Sequence, residues 1–195
     1  MRRRTMTGDR LVLYTGAQVW EGPPRIRPSR KGRYEHGPGL YFTTSLSTAR
    51  KYAKGRGVVL RVEIDPRFTW LEDALLPTDG VIEWLETYPR LRRRREMIED
   101  VLRSTKRTES RTGPGLTRAS VLVNLAVNNE VLSGETGPAL AEFLASHGIG
   151  ASLVTNPTGR GREEDWVVLF DPSKVISWER VGPDEDEWDL PSVLR

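Results

Sequence analysis

The chain has 195 residues, with 30 Lys and Arg against 27 Asp and Glu, and a formal charge of +3. That length gives room for one ordinary domain with a substantial core, and 37% hydrophobic with 29% charged residues excludes a disordered composition. There is no cysteine, which excludes disulfides, thiolate catalysis and cysteine-ligated zinc or iron–sulfur centres.

Only His36 and His147 offer imidazole, so no metal site is expected. The basic stretch Met1–Arg4 leads to an apolar run, Leu11 to Tyr14, too short for a signal peptide or a membrane span. A cytoplasmic protein with no membrane partner is expected. Charge is segregated: Arg90, Arg92, Arg93, Arg94, Arg95, Arg103 and Arg107 crowd the middle, and Asp184, Glu185, Asp186, Glu187 and Asp189 the end.

In chain order, residues 11–15 form an apolar β-prone run closed by Gly16, a buried first strand. Glu21 to Gly39 lacks periodicity and predicts a long loop, of a length that is usually functional or mobile. Leu40–Thr43 predicts a short strand, and Ser45 or Ser47 can cap a helix running to Lys54. Val58 to Ile64, stopped by Asp65-Pro66, predicts another strand. Residues 79–104 and 117–133 read as helices joined by a mobile connection, Thr105 to Gly115. Gly137 to His147 predicts a helix ended by Gly148. Trp166–Phe170 predicts a strand ending at Asp171-Pro172, with an edge strand at 175–179. The expected organisation is one domain over 1–182 with a helical, arginine-rich insertion at about 79–133, followed by a loosely attached acidic tail at 183–195.

The stretch 36–64 carries the chemistry. Gly37-Pro38-Gly39 before a strand permits close backbone approach to a flat ligand. Tyr41 on the strand and Tyr52 on the following helix can face each other across a gap. Two phenol rings so placed would sandwich a planar heterocycle, worth roughly 0.5–1.5 kcal/mol beyond burial. The same positions also suit ordinary core aromatics.

These residues resemble the diphtheria-toxin and poly(ADP-ribose) polymerase branch of the ADP-ribosyltransferases. The resemblance rests on Tyr14-Thr15-Gly16, on Gly-Pro-Gly-Leu-Tyr41-Phe42 with ten residues between Tyr41 and Tyr52, and on Glu163-Glu164-Asp165-Trp166-Val167-Val168 with Asp171-Pro172. It covers roughly 11–65 and 140–178 and leaves out the arginine-rich middle. It implies an α+β fold with a split mixed or antiparallel β-sheet core, flanking helices and a helical insertion.

The resemblance further implies NAD+ as substrate, with Tyr14, Thr15, Gly16, Tyr41, Ser47 and Tyr52 binding it and no metal involved. Ser47 or Thr48 would add a hydroxyl to the carboxamide that the Gly16 backbone holds. The catalytic set would be Tyr41 with Asp165 or Glu164, Asp165 being favoured by alignment on the aromatic-valine-valine run. Asn156, Arg160 and Arg162, on the loop before the acid, would contact the acceptor substrate. Thr15 stands where the branch usually has histidine or arginine, and His36 either replaces that ring in space or is an ordinary exposed loop histidine.

The implied activity is a mono-ADP-ribosyltransferase acting on a macromolecular acceptor, nucleic acid or protein. Small transferases of this kind occur as bacterial toxins and defence effectors, for which an antitoxin or immunity protein is a partner. An NAD glycohydrolase and a catalytically silent NAD- or nucleic-acid-binding module are the alternatives.

Overall fold

The computed structural model describes residues 10–28, 34–88, 93–155, 157, 164–182, 190 and 193. Strand β1 (Leu11–Ala17) leads through an irregular loop to β2 (Leu40–Thr43) and helix α1 (Leu46–Ala53). Then come β3 (Val58–Ile64), β4 (Thr69–Trp70) and β5 (Leu75–Pro77), followed by α2 (Thr78–Thr87) and α3 (Arg94–Thr112). The chain continues as β6 (Leu116–Arg118), α4 (Ala119–Asn128), α5 (Thr136–Ser146), β7 (Ile149–Thr155), β8 (Asp165–Leu169) and β9 (Val175–Arg180).

The result is an α+β fold. A mixed seven-stranded sheet runs β4-β7-β8-β2-β1-β3-β9, and β5 and β6 form a small antiparallel pair. Among the described strands only β4 with β7 is parallel. The helical segment falls between the edge strand β4 and the interior strand β7, and α2 to α5 bury Val81, Leu85, Met97, Leu122, Leu140 and Leu144 against Val168 and Phe170 of the sheet side. Each fully buried Leu or Val removes apolar surface worth about 1.5–3 kcal/mol. A second cluster, including Leu13, Phe42, Val62, Val167 and Leu169, lies on the opposite face.

Several local expectations change. The helix expected over 79–104 is broken: α2 ends at Tyr88, which is extended at φ −74, ψ 103. Pro89 follows it in the sequence, and a residue before proline is pushed out of the α region. The mobile connection expected at Thr105–Gly115 is instead the last two turns of α3, which runs to Thr112. Threonines replace apolar residues on its inner face: Thr105 meets Thr78 at 3.4 Å, and Thr112 Oγ1 donates to the carbonyls of Thr108 and Leu116. Residues 116–118 pair with β5 as a strand, so α4 is shorter than the helix expected over 117–133.

Strand β7 was not expected. Its Gly150-Ala151-Ser152 centre has no alternating pattern because both faces are buried, and a Cβ at Gly150 would run into the Phe68 ring. The segment expected as a loose acidic tail includes two packed residues. Leu190 lies against Tyr14, Leu46 and Ala49, and Val193 is 5% exposed within the second cluster. Residues 183–189 lie outside those described. Among the described residues no helix is long and apolar enough to cross a membrane.

Candidate functional site

The site begins where the large sheet comes apart. Strand β1 pairs with β3 along its whole length, from Leu11 opposite Ile64 to Ala17 opposite Val58, and β2 pairs with β8 along its own. Between β1 and β2 there is a single register pair, Tyr14 opposite Thr43. Beyond it the strands diverge, and a cavity of about 530 Å³ occupies the gap. That size lies within the roughly 300–1,000 Å³ of ligand-binding clefts.

Gly16 shows why the gap can bind a polar ligand edge. It stands opposite Val59 in the antiparallel ladder, and the Val59 carbonyl turns the other way to accept from the Val181 amide. Paired residues in such a ladder point their peptide groups both inward or both outward, so Gly16 aims its N–H and C=O away from β3, toward the gap. A Cβ here would overlap the Ala49 carbonyl oxygen, so glycine lets α1 lie directly on β1. Gly39 has a related role: a Cβ there would collide with the Leu169 carbonyl oxygen and the Val168 side chain. Close strand packing, as well as ligand approach, requires that glycine.

Helix α1 forms one wall. Ser45 is its N-cap, with Oγ accepting from the Thr48 amide at 3.3 Å. Thr48, Ala49 and Tyr52 line the cavity from this helix. Tyr41 lines it from β2, and its hydroxyl donates to the Gly37 carbonyl at 2.8 Å while accepting from the His36 amide at 3.2 Å. Burial pushes the Tyr41 phenol well above its ordinary value of 10, the His36 amide opposes this, and the Glu35 charge adds to the rise. Tyr52 is 54% exposed at the rim. Its phenol is raised first by burial, then by the charges of Glu35 and Glu164.

Strand β8 supplies the aromatic and acidic side. Trp166 lines the cavity, and its ring meets His36 at 5.6 Å and Tyr52 at 6.0 Å, both edge to face. Thr43 opposite Trp166, and Tyr41 opposite Val168, share one face of the β2–β8 pair. The two carboxylates diverge from there. Glu164 Oε1 accepts from Thr43 Oγ1 at 2.8 Å and from Trp166 Nε1 at 2.7 Å, both donors being cavity-lining residues. Asp165 alternates to the opposite face with Val167 and accepts from the Val193 amide at 2.8 Å. Alignment on the aromatic-valine-valine run favours Asp165; neither carboxylate lines the cavity itself, and the hydrogen bonds from Thr43 and Trp166 connect Glu164 to it.

Of the other expected residues, Thr15 and Gly16 line the cavity. Tyr14 does not: it is 8% exposed and packs with Leu46 and Ala49 beneath α1, because it shares a face with Thr43 and the helix covers it there. Ser47 also lies outside the lining, with Oγ 3.0 Å from Ser45 Oγ; Thr48, one residue on, faces inward. His36 packs on Trp166 without lining the cavity. Asn156, Arg160 and Arg162 lie outside the described residues.

Sequence reasoning did not single out the outer wall. Val19, Trp20, Arg25 and Arg27 line the cavity from the loop after β1, and Glu35 lines it from the turn before β2. The Tyr34 hydroxyl holds this loop by donating to the Arg27 carbonyl at 2.7 Å, and Arg27 meets Glu21 at 3.6 Å. The length of the 21–39 loop was the one signal pointing here. In the arginine-rich segment, Arg93, Arg95 and Arg103 pair with Glu96, Glu99 and Asp100 of their own helix, which offsets part of its positive charge.

Comparison with protein-family models, with curated proteins and with solved structures finds no match to this chain.

Proposed function

We propose that this chain is a mono-ADP-ribosyltransferase of the diphtheria-toxin and poly(ADP-ribose) polymerase type, cleaving NAD+ at the nicotinamide–ribose bond and passing ADP-ribose to a nucleic acid or protein acceptor. The observation that carries the reading is the cavity at the parted strands. Residues from three distant segments, Thr15 and Gly16, Tyr41 and Tyr52, and Trp166, line that one space. The Glu164 carboxylate is held beside it by Thr43 and Trp166.

In this reading the outward-facing peptide of Gly16 receives the nicotinamide carboxamide, and Tyr41 and Tyr52 flank its ring. Loss of nicotinamide leaves positive charge on the ribose, which needs a fixed negative group nearby. Glu164 fills that role better than Asp165, because two donors that line the cavity orient its Oε1. Glu164 then stabilises the developing cation and receives the acceptor's proton as the new glycosidic bond forms.

A bacterial toxin or defence effector countered by an antitoxin or immunity protein remains the biological setting proposed from the sequence resemblance, with the cytoplasm as its location. Incubation of the purified protein with labelled NAD+ and cell extract, followed by separation of protein from nucleic acid, tests the activity and identifies the acceptor class. Release of nicotinamide without any labelled macromolecule would identify a glycohydrolase. NAD+ binding without turnover would identify the silent module.

A further inference from the structure

We propose that Asp165 is a positioning residue: together with the segment at Leu190 and Val193 it forms a staple across the start of β8 that sets where Glu164 stands. The proposal deepens, and rests on, the assignment of Glu164 as the acid.

Among the described residues, four hydrogen bonds build the staple. The Val193 amide donates to Asp165 Oδ2 at 2.8 Å, and the Leu190 amide donates to the Thr44 carbonyl at 2.9 Å. Beneath them, the Thr44 amide donates to the Asp165 carbonyl and the Asp165 amide to Thr44 Oγ1, each at 3.0 Å. Asp165 is 4% exposed, and a carboxylate that deep is tolerated only with charge-assisted partners.

The packing gives the staple its direction. Leu190 packs beneath α1 with Tyr14, Leu46 and Ala49, whereas Val193 is buried in the cluster on the other face with Leu13, Phe42 and Val167. Leu190 and Val193 thus each complete one of the two clusters, on either side of the β2–β8 pair. Glu164 is joined to Asp165 by one peptide and faces the other way, so a rotation that frees Asp165 displaces Glu164 as well. Tyr41, Tyr52 and Gly16 sit on other elements and keep their places.

The test uses the full chain with Asp165→Asn, Asp165→Ala, Val193→Pro and Glu164→Gln. Two readouts are taken: nicotinamide release, for kcat and KM, and carboxypeptidase digestion followed by mass. An asparagine oxygen still accepts the Val193 amide, so Asp165→Asn should keep kcat within about threefold and stay protected from digestion. Asp165→Ala and Val193→Pro should lower kcat about ten- to a hundredfold, the scale set by small displacements of a reacting group, at unchanged KM, and should let digestion pass Val193.

Asp165→Asn as inactive as Glu164→Gln would overturn the proposal, because the aspartate charge itself would then be at work. So would Val193→Pro with unchanged kcat and unchanged digestion. If Asp165→Ala does not fold, Val193→Pro decides, since it keeps the carboxylate and removes the Val193 amide that donates to it. If the unaltered protein releases no nicotinamide, the transferase reading fails, and the digestion pattern still decides whether the staple exists.

Discussion

Trp166 Nε1 donates to Glu164 Oε1 across 2.7 Å, so the ring that walls the cavity also orients the acid beside it. The indole has two tasks that different substitutions can separate. Trp166→Phe keeps an aromatic wall and deletes the donor, leaving Thr43 alone on Oε1. Hydrogen bonds to charged groups contribute about 1.5–3 kcal/mol, so kcat should fall by about tenfold or more with KM for NAD+ little changed. Steady-state nicotinamide release measures both.

Glu164→Gln preserves size and hydrogen bonding while removing the charge. We expect NAD+ binding by calorimetry to stay near that of the unaltered protein and kcat to fall about 10²- to 10³-fold, the range for losing one preorganised electrostatic contact. A variant that still turns over at the original rate would remove Glu164 from the mechanism.

Tyr52 is more than half exposed, at 54%, so its truncation should leave the fold intact. Tyr52→Ala should weaken NAD+ binding about two- to tenfold, the equivalent of one lost stacking contact, with an unchanged melting temperature. Tyr52→Phe should bind as the original does. Equal affinities for all three proteins would mean that no ligand ring rests on this residue.

Gly16→Ala tests the contact between β1 and α1. The added methyl meets the Ala49 carbonyl, a backbone atom that cannot rotate away. Overpacking of this kind costs about 1–3 kcal/mol, so thermal unfolding should begin several degrees lower. Circular dichroism would show it, and an unchanged melting temperature would mean that the helix is not seated as described.

Tyr41 predicts an alkaline effect. Its folded-state pKa is raised, chiefly by burial, so the folded protein binds this proton more tightly than the unfolded chain does. The associated stability is complete below the unfolded value near pH 10 and is lost as pH rises above it. Tyr41→Phe lacks the ionisation, and its stability should decline less steeply between about pH 10 and 12. Urea unfolding at several alkaline pH values supplies the comparison.

Side-chain chemistry that repeats over short spans was legible from sequence. The Tyr41–Tyr52 spacing pointed to two rings about one space, and both line the same cavity. Less legible was anything decided by a one-residue alternation. Glu164 and Asp165 are chemically near-equal neighbours, and only the register of β8 against β2 turns one toward Thr43 and the other toward Val193. Tyr14 and Thr15 posed the same difficulty on β1. Contacts closing over long separations were invisible: the carboxylates at 184–189 suggested a solvated tail, and nothing local reveals that Leu190 and Val193 reach two hydrophobic clusters. Strand β7 was hidden because a doubly buried strand of small residues has no period to detect.

With one bridge, Tyr14 opposite Thr43, joining β1 to β2, the two halves of the main sheet meet at something close to a hinge pin. A molecule that wedges into the opening and bonds to both edges would act as a second pin, making the sheet stiffer as well as filling the space. Saturation at a hundred times the dissociation constant raises unfolding free energy by about 2.7 kcal/mol. Heat resistance alone would therefore sort candidate ligands, whether or not any of them is consumed.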